Sequence, residues 1–263
     1  MILVFLIICL IIIFLLLFIE RNIYFEGFQM INYNNNNNNN NNNKDDNKDN
    51  IILLGDSILA NDYYVNDHNN SVCGLITKKF HNKYNVFCFA EDNAFIDDVY
   101  YQVDNLEKII ASTKTPSFGD ATPNKNIIVL SIGGNNIIRL INDIYDNINN
   151  DINDGINDNI NDDNVLKHLK IEYQKLISYI IKKFPNDILI ITDIYYSYDS
   201  FYIKFKNLCI NWNNFLREIS LNYKNIILLP ISTLLTEKTD FVKSIEPSVI
   251  GGYKIVDALS LYL

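Results

Sequence analysis

Histidine is scarce in this chain, with His68, His81 and His168 the only three among 263 residues. No pair of them stands at metal-ligand spacing, so a histidine-built metal centre is not indicated and little choice of imidazole base remains. Cysteine is hardly more abundant. Cys9, Cys73, Cys88 and Cys209 form no Cys-x-x-Cys pair, so neither a zinc site nor a disulfide framework is indicated, and free buried thiols are expected. Basic clusters are missing too. The formal charge is −9, yet seven Asp and no Lys or Arg fall between Asn142 and Asn164, so most of the acid excess sits in one biased stretch. The remainder is near balance and carries no basic stripe that would neutralise phosphates, which argues against nucleic acid as a partner.

The first long feature is apolar. Met1 to Ile19 run without a polar interruption up to Glu20-Arg21, the length needed to cross a hydrocarbon core. No Lys or Arg precedes the run and no Ala-x-Ala follows it, so a retained single-pass transmembrane anchor over residues 1–20 is expected rather than a cleaved signal peptide. The membrane is then both partner and location. Arg21 is the only flanking cation, so the side of the membrane is not encoded. Residues 21–50 contain the unbroken tract Asn34 to Asn43 and read as a disordered linker, too polar to offset their own ordering entropy.

Residues 51–263 hold the core. Ile51 to Leu54, Asn85 to Ala90, Ile127 to Ile132, Ile188 to Thr192 and Ile226 to Leu229 are short, apolar and rich in β-branched residues, the pattern of strands buried on both faces. Amphipathic stretches at Val99 to Ala111, Val165 to Lys183 and Tyr202 to Leu221 alternate with them. Strand and helix in alternation predict an α/β fold, a parallel sheet with helices on both faces and ligands bound beyond the carboxyl ends of the strands. A second biased stretch, residues 142–164, repeats Ile-Asn-Asp units with isoleucines four apart. That spacing drifts around a helix of period 3.6, so a sustained buried stripe is not expected and the stretch reads as a surface insertion with room for partial helix.

Three strand ends carry the chemistry. The first delivers Gly55-Asp56-Ser57, a serine on a glycine-permitted turn with its hydroxyl at the sheet edge. The third delivers Gly133-Gly134-Asn135, where glycines let the backbone approach a ligand and an Asn amide can donate to a developing oxyanion. The second delivers Glu91-Asp92-Asn93, whose backbone N–H can make a further donor. Near the C-terminus stands Ile245-Glu246-Pro247-Ser248, followed by Gly251-Gly252.

In order and spacing these blocks resemble the SGNH (GDSL-like) hydrolase superfamily from about Ile51 to Leu259. The resemblance implies a three-layer α/β/α flavodoxin-like fold with a five-stranded parallel sheet. It also implies Ser57 as nucleophile, with the Ser57 N–H, the Asn135 side chain and the Asn93 N–H as oxyanion donors. Substrates would be small-molecule or lipid esters or related acyl compounds, cleaved without metal or organic cofactor. The chain departs from the pattern at two places. Asn93 stands where the second block usually has Gly, and Lys243 and Glu246 stand where the last block usually has Asp and His. Glu246 thereby becomes the candidate base, as in a subset that carries Ile-Glu-Pro-Ser. His81 and His168 sit among lysines and read as solvated, whereas His68, in the loop after the nucleophile turn, is the alternative base. The rival function is a catalytically degenerate domain that binds a lipid, glycan or protein without turnover.

Overall fold

The computed structural model describes residues 48–113, 125–150 and 162–263. The expected anchor and linker over residues 1–47 lie outside the described residues. Among the described residues no helix is long and apolar enough to cross a membrane.

Five strands form one sheet: β1 (Asn50–Gly55), β2 (Asn85–Cys88), β3 (Asn126–Ser131), β4 (Ile188–Thr192) and β5 (Ile226–Leu229). Their order is β2-β1-β3-β4-β5 and every pairing is parallel. Alternate residues point to opposite faces, and both faces are apolar. Ile52, Leu54, Ile128, Leu130 and Ile191 enter one core, Ile51, Leu53, Ile127, Val129 and Ile190 the other. The first core is covered by α3 (Ile96–Thr113), α4 (Gly134–Asn150), α5 (Asp162–Lys183) and α6 (Lys206–Asn222). The second is covered by α2 (Val72–Phe80) and α7 (Val249–Leu259), which pack side by side. A short α1 (Asp62–Val65) follows the first strand. The expected three-layer α/β/α architecture is thus the observed one, each buried Leu or Ile contributing about 2 kcal/mol of apolar transfer.

Two local expectations are corrected, at the cysteines and at the start of α6, and a third is filled in. Cys73 on α2 and Cys88 at the end of β2 are not free thiols but a disulfide, their Cα atoms 6.2 Å apart, because the helix after β1 returns to pack beside β2. Cys209 is free and half-buried. The biased stretch after Asn142 is helical at both described ends: α4 continues to Asn150 and α5 begins at Asp162. Ile137 and Ile141 are buried and Ile144 half-buried, so an anchored apolar face carries the helix past residues of poor intrinsic propensity. The segment read as one helix from Tyr202 is a 3-10 turn over Tyr202–Phe205 followed by α6.

Beyond the main sheet, β6 (Phe241–Val242) and β7 (Glu246–Pro247) form a small antiparallel hairpin pairing Val242 with Glu246. The strand order reverses between β1 and β3, and in open parallel sheets that reversal opens the crevice where ligands bind.

Candidate active site

Gly55 ends β1 with φ +126°, and a Cβ there would sit 1.7 Å from the Ser131 carbonyl oxygen, so glycine is required for β1 and β3 to meet at this end. Gln102 from α3 holds the same residue on both sides, accepting from the Gly55 N–H at 2.7 Å and donating to its carbonyl at 2.9 Å. The chain then turns sharply. Asp56 donates its N–H to Ser131, while Leu59 and Ala60 both donate to the Asp56 carbonyl, which throws Ser57 out beyond the sheet edge. The Asp56 side chain points back inside, accepting from the Ile58 N–H and from Ser131 Oγ. Burial pushes its carboxyl up to about 8, the Ile58 hydrogen bond opposing and the charge of Glu246 adding to the rise.

Glu246 comes from the hairpin. Ser57 Oγ donates to Glu246 Oε1 at 3.2 Å, and the two residues are 6% and 7% exposed. Burial raises the Glu246 carboxyl to about 7. The Ser57 hydrogen bond and Lys243 pull it down, and Asp92 pushes it further up. Its Oε2 is buried without a hydrogen-bond partner among the described residues. Lys243 and Ser244, at the hairpin tip, adopt left-handed φ values of 48° and 70°. Lys243 thereby places its ammonium 5.1 Å from the Tyr64 ring centre, and the Tyr64 hydroxyl donates to Asp92 at 3.1 Å.

Asn135 lies in the first turn of α4, after Gly133 at φ +110°, where a Cβ would strike the Trp212 indole at 2.8 Å. Its Nδ2 donates one proton to the Ala94 carbonyl at 2.9 Å, which fixes the amide and leaves the second N–H bond for a ligand. Ser57, Asn135 and Glu246 line one cleft. Asn93 is exposed and is not in the lining; its φ of 60° is a conformation open chiefly to Gly, with Asn next, which accounts for Asn at a position where Gly is usual. The outer walls are apolar, with Ile137, Ile138 and Ile141 of α4 facing Ile194, Tyr202 and Ile203. His68 is exposed and its Nδ1 is paired with Asp62 at 2.5 Å. His81 and His168 are exposed, as expected, on the surface of α2's end and of α5. Among the described residues no group of three or more His, Cys, Asp and Glu could hold a metal ion.

The local arrangement was visible in the sequence at Ser57, Asn135 and Glu246. Sequence reasoning missed Gln102, which bonds the Gly55 backbone, and Asn61 and Tyr195, which donate to the carbonyls of Pro247 and Ile245 on either side of Glu246, because each partner is a backbone group far away along the chain.

No family model matches the chain. No curated protein matches it in sequence either. Solved structures do. A member of the lipolytic protein G-D-S-L family from Veillonella parvula DSM 2008 superposes with a TM-score of 0.55 at 16% identity, over 81% of this chain and 96% of that one. An extracellular lipase from Streptomyces rimosus gives 0.56 at 10% identity, over 82% of this chain and 100% of the other. A psychrotrophic esterase from Pseudoalteromonas, in a form inhibited by monoethylphosphonate, gives 0.53 at 13% identity, over 81% and 95%. The described residues therefore have the fold of the G-D-S-L (SGNH) lipolytic hydrolases.

Proposed function

We propose that this chain is an SGNH-type hydrolase that cleaves an ester or acyl bond with Ser57 as nucleophile and Glu246 as general base. The observation that carries the reading is the 3.2 Å contact between Ser57 Oγ and Glu246 Oε1 at the inner end of an apolar cleft. Serine needs an adjacent base, and burial supplies one by lifting a carboxylate towards neutral pH. Ser57 Oγ attacks the acyl carbon while Glu246 takes its proton. The oxyanion so formed is held by the second N–H of Asn135 and the Ser57 N–H; Asn93, expected as a further donor, is exposed and outside the cleft lining. Glu246 returns the proton to the leaving alcohol, then deprotonates a water that releases the acyl group from Ser57. The isoleucine walls favour an aliphatic acyl chain, so lipid or small-molecule esters are the substrates. No step needs a cofactor.

The domain organisation belongs to this reading as well: residues 1–20 an anchor in the membrane, 21–50 a linker and 51–263 the hydrolase, with the stretch 142–164 inserted in it. The Cys73–Cys88 disulfide supports placing the domain on the oxidising side of that membrane. Full-length protein should then resist carbonate extraction.

The test of the chemistry is a fluorophosphonate probe and a panel of aryl esters applied to the full chain. Labelling and turnover that vanish in Ser57→Ala support the enzyme. One observation favours the rival binding module: Glu246 Oε2 lacks the orienting partner that a base usually has. Absence of labelling in the wild type, with retained affinity for a non-hydrolysable lipid, would decide for that rival.

A further inference from the structure

The hairpin that carries Glu246 belongs to a two-stranded sheet separate from the five-stranded one, so its placement against Ser57 must come from other contacts. Two of these flank the glutamate. The Tyr195 hydroxyl donates to the carbonyl of Ile245, the residue before it, and Asn61 Nδ2 donates to the carbonyl of Pro247, the residue after it, at 2.8 Å. Both side chains are buried, Asn61 at 0% exposure and Tyr195 at 7%. Both are themselves held. Asn61 accepts the Val72 N–H at the start of α2 through Oδ1 at 2.8 Å, and it lies four residues beyond the nucleophile on the same turn. Tyr195 follows Ile194, whose N–H and C=O are both bonded by the Asn213 side chain at 2.9 and 2.7 Å, and the Tyr195 ring packs on Phe241 of β6. The pair thus joins the serine turn and the end of β4 to the two peptide groups on either side of the glutamate.

We infer that Asn61 and Tyr195 are positioning residues that clamp the backbone on both sides of Glu246 and so hold its carboxylate on the Ser57 hydroxyl. The inference rests on the proposed Ser57–Glu246 chemistry. A buried amide has two ends to satisfy, and here one end is fixed on the nucleophile's side and the other on the base's side. The distance between nucleophile and base is therefore set by rigid side chains rather than by the three-residue tip Lys243 to Ile245. A shift of about 1 Å in such a contact can cost about a hundredfold in rate.

The test uses the full chain with an activated aryl ester. Tyr195→Phe removes one hydroxyl and keeps the ring, so it should fold; its kcat should fall about tenfold or more while KM stays within about twofold. Asn61→Ala should behave alike. Because Asn61 also serves α2, it is compared by thermal unfolding, and Tyr195→Phe carries the test if Asn61→Ala does not fold. The discriminating step repeats Tyr195→Phe in a Glu246→Gln background, where the clamp has no base left to hold and the residual rate should not fall further. Equal losses in both backgrounds would show a general structural role and overturn the inference. So would full activity of Tyr195→Phe beside an inactive Glu246→Gln, which leaves the base assignment standing. Full activity of Glu246→Gln, or no turnover by the wild type, would instead overturn the base reading and the clamp with it.

Discussion

Ser57 and Glu246 touch at 3.2 Å although 189 residues separate them in the sequence. The serine arrives at the end of β1, the glutamate on a two-residue strand whose tip, Lys243 and Ser244, is wound into left-handed backbone. Single residues in that region cost about 1–3 kcal/mol unless their surroundings enforce them, and non-glycine residues are held there where a particular side chain must be presented. Here the wound tip leads to Glu246, which is 7% exposed at the inner end of the cleft.

If Glu246 is the base, its ionisation governs activity. Burial lifts its carboxyl to about 7, so the reactive, ionised form is depleted at low pH and complete above that value. The expected profile of kcat/KM rises through about pH 7 and then stays level. Glu246→Gln should lower kcat/KM about a hundredfold or more at every pH, with its thermal unfolding little changed. Rebuilding the superfamily's usual pair, Glu246→His with Lys243→Asp, should restore rate, since Asp tolerates the left-handed conformation of position 243 better than Lys does. A flat wild-type profile from pH 5 to 9 would rule this base out.

The fold and the site differ in how much the sequence reveals of them. Strands buried on both faces must be apolar throughout, so Ile127 to Ile132 could be read to within one residue of Asn126–Ser131. Gly55 was legible as the turn after a buried strand, and the structure gives the reason, a positive φ where a Cβ collides with Ser131; Gly133 was read as leaving room for a ligand, whereas a Cβ there would meet Trp212. The disulfide was not, because nothing about a separation of 15 residues says that α2 comes back to β2. Nor were Asn61 and Tyr195, since each acts on a carbonyl oxygen, and every residue has one. Nor was α4 among the amphipathic stretches read from the sequence, because Asn and Asp propensity was weighed without the buried Ile137 and Ile141 that anchor the helix.

Asp56 should make the domain less stable at alkaline pH. Its carboxyl ionises near the ordinary 3.8 when the chain is unfolded but only at about 8 when burial holds it in the fold. Between those values the unfolded state binds fewer protons, so stability falls as pH rises from about 4 to about 8. Asp56→Asn mimics the protonated acid and keeps an acceptor for the Ile58 N–H. The variant should therefore lose less stability than the wild type over that window, as read by urea unfolding at pH 5 and pH 8.5. Identical losses in the two proteins would show that Asp56 is already ionised in the fold.

Gly55→Ala tests the closest approach in the sheet. The new Cβ would meet the Ser131 carbonyl oxygen at 1.7 Å, and that atom is backbone shared with β3, so it cannot swing aside. A loss of about 3 kcal/mol or more is expected, with labelling of Ser57 abolished because the turn it stands on moves. Gly134→Ala, whose nearest neighbour would be Asp56 Oδ2 at 3.8 Å, should cost far less and serves as the control.

The Cys73–Cys88 disulfide closes a loop that spans 15 residues and contains all of α2 after its first residue, together with the entry into β2. In the chain-entropy account a loop of that size is worth about 3 kcal/mol, gained by restricting the unfolded chain. It also ties down both flanks of the site. The Cys73 N–H donates to the Leu59 carbonyl two residues past Ser57, and the strand ending at Cys88 leads directly to Glu91, whose N–H donates to the Gly55 carbonyl. Replacing both cysteines by serine, or reducing the bond, should therefore lower the urea midpoint by an amount equivalent to about 3 kcal/mol. The activity of whatever remains folded should fall less than the stability does. Alkylation of the unfolded, unreduced protein before mass measurement should modify Cys9 and Cys209 and leave Cys73 and Cys88 untouched. If Cys73 and Cys88 are alkylated as readily as Cys209 in protein recovered from cells under non-reducing conditions, the bond does not form in the cell, and the proposed placement of the domain on the oxidising side of a membrane loses its support.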